Sequence, residues 1–423
     1  MNQSIYATKL TETKLTSPSQ FKHSGLLLRD HRLKLGLTLS EASLHICTSS
    51  YLSRLEKGTA SPTPEIFKKL SERLHITSTT EQMITKDWIS PFRLALHQYD
   101  LKLLERLIND SLTTYHYQKI LQIFVFDVIN QRTSELKLNH DYLLLFQDYM
   151  TLEELQLFYH YVGAYYENQA NPELSLHYFR LALRLNQKNH QQDGLLFLSL
   201  AKHYFKQGNP NRGIHHLQDA LFLFTNELCI KYKIDCELLL CYYYVKSHIY
   251  SKAKPLLHKL HYLLKFNDPY EQYPSYLLVL GDYYLETNQY LEAEKRYQQA
   301  LRLNPHRLEG ILRLLELYHH SKDVTKQCKF IQQLELKAQS LPNSLIIQMT
   351  YYKFLSQGAL TESFRLFLQK EAIPDAIQTA NFNYYYYYSC SLIEYYEKVG
   401  KYKLALKLYQ ELKNKRCLTP FMN

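Results

Sequence analysis

One pattern constrains the fold of this 423-residue chain more than any other feature. Residues 276–305 read YLLVLGDYYLETNQYLEAEKRYQQALRLNP, and large apolar side chains recur there at helical spacing in two consecutive segments. The first segment carries the small residue Gly281, and the second carries Ala293, Tyr297 and Ala300. Small residues let two helices approach closely, while large ones fill the space left by the next pair. The pattern therefore predicts an antiparallel helical hairpin that needs neighbours to bury its faces.

The same skeleton recurs along the chain, so the hairpin is a repeat. Two further good copies lie at Tyr159, Gly163, Tyr166, Phe179 and Ala182, and at Phe197, Ala201, Tyr204, Leu217 and Ala220. Weaker copies lie at Tyr244/Ala253/Leu257, Leu314/Tyr318, Phe354/Phe367 and Tyr396/Ala405/Tyr409. The spacing matches the tetratricopeptide repeat of about 34 residues. Any antiparallel helical array places Leu and Tyr at such positions, but three good matches favour the repeat. We predict an all-α protein whose residues 91–419 form a right-handed tetratricopeptide-type α-solenoid with a concave groove.

Composition agrees with a helical protein and bounds its partners. The chain has only 11 glycines and 13 prolines, the residues that break helices, and 46% of its residues are hydrophobic. The net charge of +10 permits nucleic-acid binding without requiring it. The seven cysteines form no CxxC pair, which is typical of reduced, buried thiols in the cytosol. Cys236 and Cys241 have no further ligand at metal spacing, so we expect no metal site and no cofactor.

Targeting and catalytic signals are missing from the sequence. Residues 1–20 contain no apolar signal segment, and no stretch reaches the roughly 18 apolar residues of a membrane span. We therefore expect a cytoplasmic protein that does not enter a membrane. The sequence also has no glycine-rich phosphate loop, HExxH motif or nucleophile elbow. An enzyme is accordingly disfavoured.

The region before the repeats has a different organisation. Residues 1–23 are polar and predict a flexible N-terminal arm, and residues 77–90 predict a linker. Between them, residues 24–76 predict four short helices, with Gly36 as a C-cap and Thr38 and Glu41 as a capping box. Their spacings predict one shared small core, formed by Leu28, Leu35, Ala42, Ile46, Leu52, Leu55, Ile66 and Leu70.

The third of these helices, within ICTSSYLSRLEKG, carries hydroxyl and basic side chains. Two helices joined by a tight turn form a helix-turn-helix, whose second helix places its N-terminal end in the DNA major groove. The candidate DNA-binding residues are Thr38, Thr48, Ser49, Ser50, Tyr51, Ser53, Arg54 and Lys57. Two structural alternatives stay open: the Ser/Thr run serves only as an N-cap, or Glu56 holds Arg54 in a salt bridge.

The segment LRDHRLKLGLTLSEASLHICTSSYLSRLEKGTASPTPEIFKKLSERL resembles the XRE/Cro-type helix-turn-helix. Together with the repeats that follow, it resembles the RRNPP class of regulators (the PlcR, NprR, Rgg and PrgX group). The resemblance implies a homodimeric transcription regulator that binds double-stranded DNA at an inverted-repeat operator and receives a short signalling peptide. Two features depart from it. Leu39 stands where such domains carry a backbone-contacting Gln, and the extension 1–23 is longer than expected.

The first helix of each hairpin lines the groove of such a solenoid, which predicts where a peptide binds. The candidate peptide-binding residues are His160, Asn168, Lys202, Lys206, Tyr242, Lys246, Asp282, Glu286, Glu316 and Tyr352. Asn168 is favoured because an amide can both donate to and accept from a peptide unit. For each of these residues taken singly, the alternative of an ordinary solvated groove residue stays open and is favoured, because most contacts carry little binding energy.

Two further questions stay open at the level of sequence. The five consecutive tyrosines Tyr384 to Tyr388 cannot all face one side of a helix, so they predict either a dimerisation surface or packing of the last repeats. The alternative to a peptide-gated regulator is an adaptor whose repeats bind and inhibit a partner protein such as a response regulator. The intact helix-turn-helix favours the regulator, although one chain could do both.

Overall fold

The structure is a computed structural model that describes residues 20–76, 87–109, 116–188, 192–266, 271–305, 307–336, 341–358, 361–379 and 381–414. Within those ranges the regular elements are all helices and there is no strand, which confirms the predicted all-α class. None of the described helices is long and apolar enough to cross a membrane. The expected arm (residues 1–19), most of the linker (77–86) and the end of the solenoid (415–419) lie outside the described residues.

Four helices form the N-terminal domain, as predicted. They are α1 (Gln20–Lys34), α2 (Leu39–Ser43), α3 (Ser49–Glu56) and α4 (Pro64–Arg73). Helix α1 begins at Gln20, so it takes in the last residues of the segment expected to be an arm. The capping box is present, because the Thr38 side chain accepts from the Glu41 backbone N–H while the Glu41 carboxylate accepts from the Thr38 N–H. Gly36 and Gly58 follow helix ends with φ of 69° and 67°, where glycine avoids strain.

The core of this domain follows the predicted list with one exception. Its buried residues are Leu28, Ala42, Leu52, Leu55, Leu70 and Leu74, and Ile46 and Ile66 pack against them. Leu35 is 43% exposed because the chain turns at Gly36, which carries its side chain off the core face. Gly25 is required by close packing, since a Cβ there would lie 2.1 Å from the carbonyl oxygen of Leu55.

The chain divides into two compact units, and the first extends beyond the four helices. It comprises Met1–Leu96 and Asp100–Tyr161, whereas the predicted boundary lies in the linker 77–90. It also holds α5 (Ile89–His97, except its last residue), α6 (Leu101–Asn109), α7 (His116–Ile129) and α8 (Leu136–Leu144). The buried Asp30 carboxylate accepts from the first backbone N–H groups of α7, at His116 (2.7 Å) and Tyr117 (3.1 Å). This N-terminal cap explains why α1 clusters with the helices after the linker.

The second unit comprises His97–Tyr99 and Val162–Asn423 and consists of consecutive helical hairpins. The first pairs are α9 (Leu152–Asn168) with α10 (Pro172–Lys188), α11 (Gly194–Lys206) with α12 (Pro210–Asn226), and α13 (Ile230–Lys246) with α14 (Tyr250–Phe266). The residues of α9 up to Tyr161 belong to the first unit. They are followed by α15 (Tyr273–Glu286) with α16 (Tyr290–Leu303) and α17 (Leu308–His320) with α18 (Val324–Glu335). The first helix of one hairpin packs on the first helix of the next from α13 through α19 (Asn343–Ser356). The predicted hairpin repeat is therefore confirmed.

Small residues set the hairpin spacing where the sequence pattern placed them. A Cβ on Gly163 would lie 2.5 Å from the Phe179 ring, and one on Gly281 would lie 2.4 Å from the Tyr297 ring. In each pair the aromatic residue is fully buried. The ring thus occupies the volume that the missing side chain leaves.

The hairpin turns explain how the chain manages with so few glycines. Ala170, Leu228, His248, Asn288 and Lys322 all have φ between 53° and 59°. Each follows a helix end at the position that glycine usually takes. The turn after α9 shows the pattern: Ala170 N–H donates to Glu167 O and Asn171 N–H donates to Tyr166 O. These two bonds form a Schellman motif that closes the helix and starts the return.

The tyrosine-rich segment lies in the last hairpins. After α19 come α20 (Glu362–Phe367), a π-helical segment (Leu368–Ala372), α21 (Ile373–Gln378), α22 (Phe382–Lys398) and α23 (Tyr402–Asn414). In α22, Tyr385 and Tyr388 are buried in the terminal core, and Tyr384 and Tyr386 pack against that core. Tyr387 is 48% exposed. Most of the segment therefore fits the alternative of packing within the last repeats.

Candidate nucleic-acid interface and ligand site

The predicted recognition helix α3 presents a polar face. Thr48 caps the helix by accepting from the Tyr51 N–H, so the N-cap reading is correct for this residue. Ser50, Arg54 and Lys57 are exposed and follow one another at helical spacing, which places them on one face. Ser49 and Ser53 are half-buried. The exposed row supplies a hydroxyl and two cations along one side of a helix that begins at a tight turn.

The alternative pairing of Arg54 with Glu56 does not occur. Glu56 is 3% exposed and binds Arg32 through two bonds, Nε to Oε1 at 2.6 Å and Nη2 to Oε2 at 2.8 Å. Among the described residues no carboxylate pairs with Arg54, whose guanidinium carbon lies 5.7 Å from the Tyr51 ring. The guanidinium of Arg54 is therefore available to an external anion.

Two other predicted contacts are engaged within the domain. Thr38 is exposed, but its backbone N–H and its hydroxyl both donate to Glu41, at 2.7 and 2.8 Å. The Tyr51 hydroxyl donates to the Ser61 carbonyl at 3.0 Å. Leu39 packs against the core of the domain, which is why an apolar residue is tolerated where a polar one was expected.

In the second unit, five predicted groove residues converge into one charged cluster. The Lys246 ammonium donates to Glu286 at 2.9 Å and lies 3.7 Å from Glu316. Arg313, which was not predicted, lies 2.7 Å from Asp282 and 3.6 Å from Glu316. Its guanidinium carbon also lies 5.4 Å from the Tyr242 ring. Helices α13, α15 and α17 contribute these side chains, so the site is built from the first helices of three successive hairpins.

Burial strengthens the interactions inside this charged cluster. Burial alone would lower the pKa of Lys246, but Glu316 and Asp282 outweigh it and hold that pKa above its ordinary value. Burial alone would raise the pKa of Glu316, but Lys246 and Arg313 outweigh it and keep that pKa low. Both groups are therefore charged at neutral pH. Asp282 is 1% exposed, so it is not the exposed groove residue that the repeat register predicted. Burial raises its pKa against the opposing effect of Arg313 and Lys246.

The wall beside the cluster is aromatic. The Tyr297 hydroxyl donates to Asp282 at 2.8 Å. Burial, followed by the negative charge of Glu316, raises the pKa of Tyr384 and Tyr387 of α22. Part of the tyrosine-rich segment thus lies within electrostatic reach of the charged cluster.

Among the other predicted groove residues, Tyr352 lies within electrostatic reach of this cluster, because burial and then the negative charge of Glu316 raise its pKa. His160 belongs to the first unit and is 2% exposed, so it is not the exposed groove residue that the repeat register predicted. Asn168 is exposed at the end of α9. Lys202 is exposed. Burial raises the pKa of Asp235, and the positive charge of Lys202 opposes that rise. Lys206 is exposed, and its ammonium lies 3.2 Å from Glu167. Tyr352 is 8% exposed, with its ring 5.8 Å from that of His319.

A second polar cluster was missed by the sequence analysis. Glu167 accepts from the Ser175 hydroxyl at 2.9 Å, and its carboxylate lies 2.7 Å from the imidazole of His203. Burial alone would raise the pKa of Glu167, but His203, Lys206 and Ser175 lower it to about 2. The only sequence signal was the basic pair His203 and Lys206 one turn apart.

The cysteines differ partly from expectation. Cys236 and Cys241 are buried thiols, as predicted, whereas Cys328 is exposed and Cys47, Cys229 and Cys390 are half-buried. Cys417 lies outside the described residues.

Comparison with known proteins agrees with this architecture. Residues 28–81 match the helix-turn-helix family HTH_3. A search of the curated proteins finds no match. Among solved structures, the Rap protein complexed with Competence and Sporulation Factor is similar at a TM-score of 0.61 and 14% identity, covering 80% of this chain and 98% of that one.

Two structures of the quorum sensor NprR are similar as well. The apo form from B. thuringiensis has a TM-score of 0.58 and 16% identity, covering 82% of this chain and 99% of that one. NprR in complex with its cognate peptide NprX has a TM-score of 0.62 and 15% identity, covering 80% and 97%. The chain therefore joins a helix-turn-helix match to a helical fold that is similar to those of Rap and NprR.

Proposed function

We propose that this protein is a cytoplasmic, non-enzymatic transcription regulator whose helix-turn-helix binds operator DNA under the control of a short intracellular signalling peptide. The observation that carries the proposal is the exposed row Ser50, Arg54 and Lys57 on α3, within the segment that matches the helix-turn-helix family. Ser50 near the helix start reads a base edge, Arg54 reads a guanine or a phosphate, and Lys57 neutralises a phosphate. Thr48 positions these residues by capping α3.

DNA binding is tested on sequences selected by the full-length protein from a random duplex library. Arg54→Ala should weaken binding to the selected site by about 1–3 kcal/mol and relax specificity at one position. Lys57→Ala should weaken binding to all sequences. It should also reduce the slope of the logarithm of the binding constant against the logarithm of the salt concentration, by the amount expected for the loss of about one phosphate contact. Lys69→Ala is the matched control, because Lys69 is an exposed cation on α4 outside the α3 row. If Arg54→Ala binds the selected site as tightly as the unaltered protein, the role given to Arg54 is wrong.

The peptide is proposed to bind the second unit, at the charged cluster Tyr242, Lys246, Asp282, Arg313 and Glu316 with Glu286. Support comes from the convergence of these side chains on three successive first helices and from the similar fold of NprR, which was solved with its cognate peptide. Charged side chains and an aromatic wall suit a peptide whose backbone and side chains both need partners. Asn168, Lys202, Lys206 and Tyr352 are proposed as further contacts along the same unit.

The peptide proposal is tested by calorimetry with synthetic peptides derived from any small secreted precursor encoded beside the gene. Lys246→Met should weaken peptide binding by at least tenfold while leaving peptide-free DNA binding nearly unchanged. Lys326→Met is the matched control, because Lys326 also pairs with a carboxylate, Glu294 at 2.8 Å, but lies outside the cluster. Circular dichroism checks that both variants fold. If the two substitutions change peptide affinity equally, the charged cluster is not part of the peptide site.

Gating requires that the peptide bind one global state better than another. We expect peptide and operator to alter each other's affinity by roughly 5- to 150-fold, a coupling of about 1–3 kcal/mol. A homodimer suits this mechanism, because the spacing of two half-sites is set by protein geometry. The exposed apolar residues Tyr402, Leu406 and Tyr409 of α23 are the surface proposed for the second copy. Identical peptide affinity with and without operator DNA would exclude a switch.

The second candidate is an adaptor that binds a partner protein such as a response regulator. It is favoured by the Rap structure, whose TM-score of 0.61 is close to the 0.62 of peptide-bound NprR, so fold likeness does not separate the two. The helix-turn-helix match favours the regulator. If the protein binds peptide but selects no DNA duplex from the library, the adaptor becomes the better-supported function.

A further inference from the structure

A mixed cluster of metal-ligating side chains lies in the second unit, away from the proposed peptide site. His97 Nδ1 lies 2.9 Å from Glu227 Oε2, and Cys229 Sγ lies 3.9 Å from the same oxygen. One nitrogen, one oxygen and one sulfur thus converge, with all three atoms within 4.8 Å of one another. Glu227 and Cys229 flank Leu228 in the turn between α12 and α13. That turn brings the two ligands to the same side as His97.

The surroundings of His97 match those of a metal-bound imidazole. Its other ring nitrogen, Nε2, lies 3.7 Å from Asp193 Oδ1. Asp193 is held in place because the same oxygen accepts from the backbone N–H groups of Leu195 and Leu196, at 2.9 and 3.3 Å. Metal-ligating histidines commonly place a carboxylate on the second ring nitrogen, which orients the ring and raises its basicity. The arrangement therefore supplies an outer partner as well as three inner ligands.

We propose that His97 Nδ1, Glu227 Oε2 and Cys229 Sγ bind one Zn²⁺ ion, with water in the fourth position. Zinc bonds to nitrogen or oxygen are about 2.0–2.2 Å long and those to sulfur about 2.3 Å. A tetrahedral site with these bonds requires the His97–Glu227 distance to lengthen slightly and the Cys229–Glu227 distance to shorten slightly. A thiolate with an imidazole and a carboxylate selects zinc over magnesium or calcium, which prefer all-oxygen sites. The site is empty in this structure.

Binding should release a proton, which gives the proposal a second readout. A free cysteine thiol is mostly protonated at neutral pH, and only its thiolate form is a metal ligand. Zn²⁺ binds the thiolate, so the S–H proton leaves to solvent as the Zn–S bond forms. Zinc affinity should consequently rise with pH. The bound ion would tie His97 to the turn between α12 and α13 and stabilise the second unit.

A second His/Asp group serves as the internal comparison. His215, His216 and Asp219 also lie within 4.8 Å of one another, but they share one helix face and include no thiol. His215 is 75% exposed, so a metal there would bind like an ion on any surface histidine pair. The two sites differ in the presence of sulfur, and spectroscopy can detect that difference.

The test uses the full-length chain without an affinity tag, titrated with Zn²⁺ and with Co²⁺ as its coloured substitute. We expect one ion per chain, a thiolate-to-cobalt charge-transfer band in the near ultraviolet, and a raised melting temperature with zinc that a chelator reverses. Cys229→Ser should abolish the band, and His97→Ala should lower zinc affinity by at least tenfold. Cys328→Ser and His215→Ala are the matched controls and should change neither. Lack of the band, or equal zinc affinity in Cys229→Ser and the unaltered chain, would overturn the proposal.

Discussion

The substitution Gly281→Ala tests how hairpin packing holds the proposed peptide site in place. The new Cβ would lie 2.4 Å from Tyr297 Cε1 and 2.6 Å from Cδ1, whereas ordinary contacts are 3.4–4 Å. The ring must therefore move by about 1 Å, although Tyr297 is 0% exposed and has no free space beside it. Its hydroxyl donates to Asp282 at 2.8 Å, and Asp282 pairs with Arg313. A displaced ring consequently disturbs the charged cluster.

The expected cost can be worked out from these contacts. Overpacking a filled core costs about 1–3 kcal/mol. Weakening a hydrogen bond to a buried carboxylate adds about 1.5–3 kcal/mol. Alanine recovers about 1 kcal/mol because it favours a helix interior over glycine. We expect Gly281→Ala to lower the free energy of unfolding by about 1.5–5 kcal/mol, measured by urea denaturation, and to weaken peptide binding as well.

The chain itself offers the control for this prediction. Ala201 and Leu217 stand two hairpins earlier, at the same sequence separation as Gly281 and Tyr297, and both are buried. A double variant with Gly281→Ala and Tyr297→Leu places alanine and leucine at these two positions, as in the pair Ala201 and Leu217. In the Tyr297→Leu background, adding Gly281→Ala should cost little or should stabilise, because the ring that clashes is gone. If Gly281→Ala costs the same in both backgrounds, the clash with Tyr297 is not the cause.

Two further predictions follow. Ala170→Gly should raise the free energy of unfolding by about 0.5–1 kcal/mol, because φ is 53° there, whereas Ala182→Gly in the buried interior of α10 should lower it. Burial raises the pKa of Asp30 from 3.8 to about 6, so its contribution to stability is complete below about pH 4 and is lost as the pH rises through 6. The stability of Asp30→Asn relative to the unaltered chain should therefore rise over that range by up to about 3 kcal/mol, as urea denaturation at each pH would show.

Helix positions and hairpin contacts were predictable because they depend on local spacing. The capping box at Thr38 and Glu41 involves atoms three residues apart, so the sequence specifies it directly. Gly281 and Tyr297 belong to one hairpin, so a single repeat carries the information for their contact. The extent of the first unit was not predictable in this way. It depends on Asp30 meeting the start of α7, and no periodicity links residues that lie 86 positions apart.

The candidate site was predictable in position but not in its chemistry. Repeat register placed Lys246, Asp282, Glu286 and Glu316 on first helices, and the structure brings them together. The register did not show that they pair with one another, because pairing depends on the offset between successive hairpins. Arg313 was missed although it lies one helical turn before Glu316, on the same face of the helix. His160 has a groove register but is buried, so register alone does not fix exposure.

The charged groups of the cluster already pair with one another, which constrains how a ligand can act in the proposed switch. Lys246 is bound by Glu286 and Glu316, and Arg313 by Asp282. A ligand that contacts any of these groups must replace an internal partner, because an unpaired buried charge is costly. Exchange of partners shifts α13, α15 and α17 relative to one another, since one side chain from each helix takes part. The affinity of the ligand would then differ between two arrangements of the repeats, because several interactions differ between them. A population shift requires such a difference in affinity.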